Sequence, residues 1–162
     1  MRELRVVEVR VDGEQAQPVL ILEEVEGERQ LAIWVTAAAA SGILGALQSF
    51  DADHPSSHEV MIMLIDALGG EISAIHIVGH QEGIFYAELI IDGKPVTARP
   101  SDAIALALRA GVPIKVPEAV LDAVGILPKS AEEEPEGEDE VEQFRQFLDS
   151  VNPDDFSGPE PT

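Results

Sequence analysis

Arg99-Pro100-Ser101-Asp102 places a guanidinium, a hydroxyl and a carboxylate within four residues, directly ahead of an apolar run of helical length. A helix N-terminus offers backbone N–H groups that lack intrahelical partners, and a neighbouring arginine adds a bidentate ligand for phosphate or carboxylate. Ser101 can donate a hydroxyl hydrogen bond; Asp102 can hold a divalent cation or act as a base. The same residues also have a purely structural use, with Ser101 as cap, Asp102 complementing the helix dipole and Arg99 pairing with a nearby acid. A second group, His54, His58 and Glu59, surrounds Pro55. Histidine beside a carboxylate can coordinate metal or shuttle protons. Yet Ser56-Ser57-His58-Glu59 also fits a capping box, with Ser56 at the N-cap and Glu59 three residues on. His76 and His80 are four apart, a spacing that brings two ligands together on a helix but not on a strand leaving into a turn. No Gly-rich phosphate loop, paired-His zinc motif or Gly-x-Ser-x-Gly elbow occurs.

The elements that must position these groups follow from periodicity and turn chemistry. Three β-type runs open the chain: one carrying Val6, Val7, Val9 and Val11, one over Val19–Val25, and one over Gln30–Thr36, with glycine-containing connections that read as antiparallel hairpins. Ala37–Phe50 has helical composition, with Ile43, Leu44 and Leu47 as its apolar positions. The capped helix from Ser56 carries Met61, Leu64, Ile65 and Leu68 as its expected buried stripe and stops at Gly69-Gly70. Ile72–Val78 and Ile84–Ile91 are strands around a Gly79–Gly83 turn, and Phe85, Ala87, Leu89 and Ile91 share one face. Asp92-Gly93 is a two-residue hairpin signal leading into Lys94–Ala98. Ser101–Arg109 reads as a short helix, apolar on every side over Ala103–Leu108 and therefore buried. Val112–Val116 suits a short strand and Glu118–Val124 a last helix.

Composition bounds the rest. The 162 residues carry 31 acidic and 10 basic side chains, a net charge of −21. Residues 129–162 hold a net −10 of this, leaving −11 for residues 1–128. Affinity for nucleic acid rests mainly on Lys and Arg neutralising phosphates, so such a surface repels it unless a local basic pocket or a bound cation reverses the field. Cysteine is absent, which excludes disulfides and thiolate chemistry and fits a cytoplasmic setting. No apolar run approaches the roughly 18 residues of a membrane span. Residues 131–140 hold seven carboxylates and no aliphatic residue beyond alanine, a composition expected to stay disordered. Beyond them Val141, Phe144, Phe147, Leu148 and Val151 fall at the spacing of an amphipathic helix. The expected organisation is a core over 1–128 followed by an acidic linker and tail helix over 129–162.

The core also resembles a known family, the bifunctional nuclease domain, including its small bacterial members. The match is sharpest at Ala98-Arg99-Pro100-Ser101-Asp102-Ala103-Ile104-Ala105-Leu106-Ala107-Leu108-Arg109 with Gly111-Val112-Pro113-Ile114. Leu31–Val35, Gly83–Leu89 and Val120–Asp122 support it, and the tail resembles actinobacterial relatives at 140–144 and 147–156. The chain departs from the family pattern in three places. Thr36 replaces a usual Gly, Ala39-Ala40 stands for a Glu-Ala pair, and His54–Glu59 replaces Arg-Pro-Leu-Thr-His-Asp, keeping a His and an acid but losing the Arg.

The expectation is therefore an α+β fold, a mixed β-sheet with packed helices and no Rossmann topology, and the resemblance implies a homodimer. The resemblance further implies a nuclease cleaving phosphodiesters of DNA or RNA. His58 and Asp102 would be catalytic, Arg99 and Ser101 would bind phosphate, and Asp102 with Glu59 would hold Mg²⁺ or Mn²⁺. The rival expectation is a non-catalytic regulatory or binding module whose acidic tail recruits a protein partner through residues 141–156.

Overall fold

Two tight turns with left-handed backbone, Glu82-Gly83 and Asp92-Gly93, set the second half of the sheet. All four residues have φ between 49° and 82°, the signature of two-residue hairpin turns that match strand twist. They join β4 (Ile72–Gln81) to β5 (Ile84–Ile91) and β5 to β6 (Lys94–Ala98). In the first half, β1 (Arg2–Asp12), β2 (Gln17–Glu24) and β3 (Gln30–Trp34) form an antiparallel meander. The three-residue strand β7 (Ile114–Val116) joins the halves, antiparallel to β1 and parallel to β4, giving one seven-stranded mixed sheet in the order β3-β2-β1-β7-β4-β5-β6. This α+β architecture, without the all-parallel sheet of a Rossmann fold, is the one the sequence predicts. The computed structural model describes residues 1–12, 17–48 and 53–128. The chain divides into the units Met1–Pro128 and Lys129–Thr162; the acidic linker and tail helix expected from the sequence lie outside the described residues.

Four helices complete the core unit: α1 (Ala37–Ala46), α2 (Ser57–Ala67), α3 (Pro100–Ala110) and α4 (Glu118–Val124). Helix α3 is the centre of the core. Its residues Ala103 to Ala107 are buried without interruption, because strands β4 and β5 cover one side and α1 and α2 another. The small alanines let α1 and α3 approach closely. Gly111, with φ 69°, ends α3 in the left-handed conformation that lacks steric cost only for glycine. None of the described helices is long and apolar enough to cross a membrane.

Two expectations about faces need correction. On α2, Ile65 packs against the core as expected, but Met61, Leu64 and Leu68 are exposed, and the inward side is completed by Glu59 and Ile62. On α1, Ala40, Ile43 and Ala46 are buried while Leu44 and Leu47 are exposed. In both helices a specific contact with α3, described below, overrides simple hydrophobic ranking.

Glu24 is a buried acid that sequence reasoning did not single out. At 3% exposure its carboxylate accepts from Arg29 Nε at 3.0 Å and is also paired with Arg2. Arg29 continues to Asp122 at 2.6 Å and Glu118 at 3.4 Å, tying α4 to the β2–β3 connection. Hydrogen bonds from Arg29, then from Arg2, hold the Glu24 carboxyl at about 2, below its ordinary 4.5. A depressed folded-state pKa stabilises fully above the unfolded value and progressively less as pH falls toward the folded one. Denaturant unfolding at a series of pH values should therefore show the wild type losing its advantage over Glu24→Gln between about pH 4.5 and 2. A gap that stayed constant across that window would place the stabilisation elsewhere.

Candidate functional site

The site is built at the start of α3. Strand β6 ends at Ala98, and Arg99 is the N-cap in extended conformation, followed by Pro100 at the first helical position. Proline suits that position because its fixed φ is helical and its missing N–H would have had no partner. The Arg99 carbonyl accepts from the N–H groups of Asp102 at 3.1 Å and Ala103 at 3.0 Å. This corrects the expected cap: Ser101 lies inside the helix, and no side chain caps it. The Ser101 hydroxyl is thereby left for a role outside the helix.

Arg99 Nε donates to Asp102 Oδ2 at 2.6 Å, a pair three residues apart on an exposed edge. Asp102 keeps the guanidinium charged, raising the Arg99 pKa above its ordinary value, through the hydrogen bond first and the opposite charge second. The other oxygen, Asp102 Oδ1, lies 3.5 Å from His58 Nε2. That is an ion-pair distance for a protonated imidazole and longer than a good hydrogen bond. His58, on the first turn of α2, is largely buried, and Asp102 is partly so. Arg99, Asp102 and His58 thus form one chain of contacts across α2 and α3.

Helix α1 completes the imidazole's surroundings. A Cβ built on Gly42 would stand 3.0 Å from His58 Cε1. Gly42→Ala should accordingly displace the imidazole from Asp102, while the higher helix propensity of alanine offers roughly 0.5–1 kcal/mol in compensation. The expected outcome is a shifted His58 imidazole resonance with a melting temperature near the wild type. A large fall in melting temperature instead would make Gly42 a packing residue for the core.

Glu59 is adjacent to His58 in sequence but belongs to a different contact set. The capping box forms as expected: Ser56 N–H donates to Glu59 Oε2 at 2.5 Å and Glu59 N–H to Ser56 Oγ at 3.4 Å. Glu59 Oε1 is ion-paired with Arg109 Nη1, at the opposite end of α3. Arg109 Nη2 in turn donates to the Gly45 carbonyl of α1 at 2.7 Å. Both partners are buried, with side-chain exposures of 5% and 11%. The pair locks α1, α2 and α3 together and so fixes where His58 points. Both Glu59 oxygens are engaged, and among the described residues no three His, Cys, Asp or Glu side chains converge as a metal site. Asp102 and Glu59 in this arrangement do not fit a shared divalent cation.

Beside the Arg99 turn opens a cleft of about 640 Å³. Trp34, Phe85 and Tyr86 line it, together with Thr36, Thr97, Arg99 and Ser101. Trp34 and Tyr86 are 54% and 43% exposed. The cleft joins the end of β3, one edge of the sheet, to β5 and β6 at the other, so the sheet must curl around α3. Sequence reasoning did not identify this wall, although the chain's one Trp and one Tyr offered a signal. Of the other histidines, His54 is exposed before α2, His76 lies on β4 opposite Glu88, and the His80 ring packs on Phe85 at 4.6 Å.

The electrostatics outside the cleft are uniform. Arg2, Arg5, Arg10, Arg29, Arg99 and Arg109 are each ion-paired with a carboxylate. Lys94 and Lys115, on different strands, are the remaining cationic side chains among the described residues. No basic face exists there for a nucleic-acid duplex.

The start of α3 thus presents Arg, Ser and Asp beside a histidine on a mixed, non-Rossmann sheet. The bifunctional nuclease domain model matches residues 20–129, and the chain belongs to that family. Two relatives extend the similarity over nearly the whole length. Uncharacterized protein MT1877 of Mycobacterium tuberculosis (strain CDC 1551 / Oshkosh) and Uncharacterized protein Rv1829 of strain H37Rv are each 49% identical over 161 residues, covering 96% of this chain and 98% of theirs. Bifunctional nuclease 2 of Oryza sativa subsp. japonica is 28% identical over 118 residues, covering 68% of this chain and 36% of the rice protein.

Proposed function

We propose that the Arg99–Asp102 turn and His58 form a phosphodiester-cleaving site acting on nucleic acid. The observation that carries this reading is the contact chain from Arg99 through Asp102 to His58, on a chain of the bifunctional nuclease domain family. Arg99, with a side chain 76% exposed, reaches a phosphate from the cleft edge, and the Ser101 hydroxyl adds a donor. Asp102 acts by holding Arg99 and by facing the His58 imidazole, which it orients. His58 moves the proton, taking it from an attacking water or giving it to the leaving oxygen. Glu59 acts at one remove as a positioning residue, through its buried pair with Arg109.

The Mg²⁺ or Mn²⁺ expected from the family resemblance carries no step in this reading, because the residues present do not fit a cation shared by Asp102 and Glu59. Its involvement is decided by assay. Highly purified protein is incubated with single- and double-stranded DNA and RNA in Mg²⁺, in Mn²⁺ and in EDTA, beside Asp102→Ala. Cleavage by the wild type that the variant lacks supports the reading. Equal cleavage by both preparations would identify a contaminant and remove it.

The second reading, a non-catalytic binding module, draws on the charge. With every described arginine ion-paired, the surface offers little phosphate neutralisation. The same assay separates the two, and sedimentation of the intact chain tests the homodimer.

A further inference from the structure

We infer that the cleft beside Arg99 is a stacking subsite for an unpaired nucleobase, which makes single-stranded nucleic acid the substrate class. The inference rests on the placement of a phosphate at Arg99 proposed above. It stands on a separate observation: all the Phe, Tyr and Trp side chains of the described residues, Trp34, Phe85 and Tyr86, lie in this one cleft. The buried core is otherwise wholly aliphatic. An aliphatic core that fills itself with Leu, Ile, Val and Ala has no packing need for aromatic rings. The rings are instead gathered at an opening, where two of the three stay about half exposed.

The volume, about 640 Å³, falls in the range of roughly 300–1,000 Å³ typical of small-molecule sites. Its chemistry is aromatic and apolar walls, hydroxyls from Thr97 and Ser101, and one cation, Arg99. That is the composition of a site for a flat, π-faced group carrying a single anionic phosphate. Bases in a duplex have both faces covered by their neighbours, so a stacking wall takes only a base already unpaired or flipped out. Stacking also resolves the electrostatic objection. A protein of net charge −21 cannot bind by neutralising many phosphates, but base–aromatic contacts need none.

Trp34 is the chain's single tryptophan, so its fluorescence reports directly on the cleft. The full chain is titrated in EDTA, and the length of the recovered strand is checked by electrophoresis so that binding is read apart from turnover. The probes are a short 5′-phosphorylated oligothymidylate, the same strand with abasic sugars, a blunt duplex, and thymidine 5′-monophosphate. Quenching is expected with the oligothymidylate, more weakly with the monophosphate, and with neither abasic strand nor duplex. Tyr86→Ala should weaken the strand's binding about 5- to 150-fold, the range for one stacked base, while Tyr86→Phe retains it. The logarithm of affinity should fall with the logarithm of salt at a slope of about −0.7, for one phosphate contact on a single strand. Equal quenching by the abasic strand, a slope of several, or binding of the monophosphate but not the strand overturns the inference. So does a Tyr86→Ala effect confined to sedimentation, which would make the cleft a face between copies. Stacking without any cleavage leaves the subsite standing and removes the phosphodiesterase reading. Asp102-dependent cleavage with a KM indifferent to Tyr86→Ala does the reverse.

Discussion

Replacing Glu59 by alanine is expected to destabilise the core unit by about 3–5 kcal/mol, the range for breaking a buried ion pair from one side. The variant leaves Arg109 charged at 11% exposure without its carboxylate, and it removes the acceptor of the Ser56 N–H. Arg109 already carries one buried donor, Nε, without a hydrogen-bond partner among the described residues, so little nearby can substitute. A domain of this size loses about 3–5 °C of melting temperature per kcal/mol, so the fall should be about 10–25 °C. Glu59→Leu combined with Arg109→Leu tests the coupling. Removing both charges abolishes the uncompensated ion, and the double variant should recover most of the loss. If instead the two single losses simply add, the pair is not what holds α2 on α3. The capping interaction, worth about 1 kcal/mol, would then be the larger part of Glu59's contribution.

That pair also explains what the sequence could and could not reveal. The β5–β6 hairpin was legible because Asp92-Gly93 permits positive φ at both turn positions, and strands β5 and β6 fall where the pattern put them. The start of α2 was legible because a capping box is local chemistry. The face of α2 was not. Val60 to Leu64 is continuously apolar, so its periodicity carries no direction, and the rotation is set by a partner fifty residues away. On α1, Ala40, Ile43 and Ala46 face the core while Leu44 and Leu47 stay outside. The error at Ser101 was of another kind: Pro100 signals a first helical position, which moves the N-cap back to Arg99.

The candidate site was legible in its parts and not in its assembly. Arg99, Ser101 and Asp102 share one turn, and His58 follows a recognisable cap, but nothing local says that Asp102 meets His58. Gly42 enters for want of a side chain, a role that no motif announces. The cleft is further from reach. Trp34 and Tyr86 come from strands near opposite edges of the sheet, and only its curvature around α3 brings them to one opening.

His58→Ala is expected to lower kcat for phosphodiester cleavage about 10²- to 10⁴-fold, the usual contribution of a positioned general acid–base. The melting temperature should change little, because the imidazole lies at the partly open edge of α2 rather than in the aliphatic core. Asp102→Asn keeps the shape but removes the charge facing both His58 and Arg99. It should lower kcat as well, and it frees Arg99 from its ion pair. Arg99→Ala acts on the phosphate itself, so its loss should show in KM as well as in kcat. Since His58 and Asp102 would work as one unit, the double variant His58→Ala with Asp102→Asn should be hardly worse than His58→Ala alone. Multiplicative losses would show that the two act independently, and the contact of 3.5 Å would then be incidental. A His58→Ala protein with wild-type kcat would remove the imidazole from the chemistry. The 3.5 Å separation itself leaves room for tightening, as catalytic hydrogen bonds in ligand-free sites often shorten once substrate is in place. Under the proposed function, an incoming phosphate would compete with Asp102 for the Arg99 guanidinium. An Asp102 carboxylate released from Arg99 would then be free to move toward His58, and substrate binding would itself assemble the proton-transfer pair.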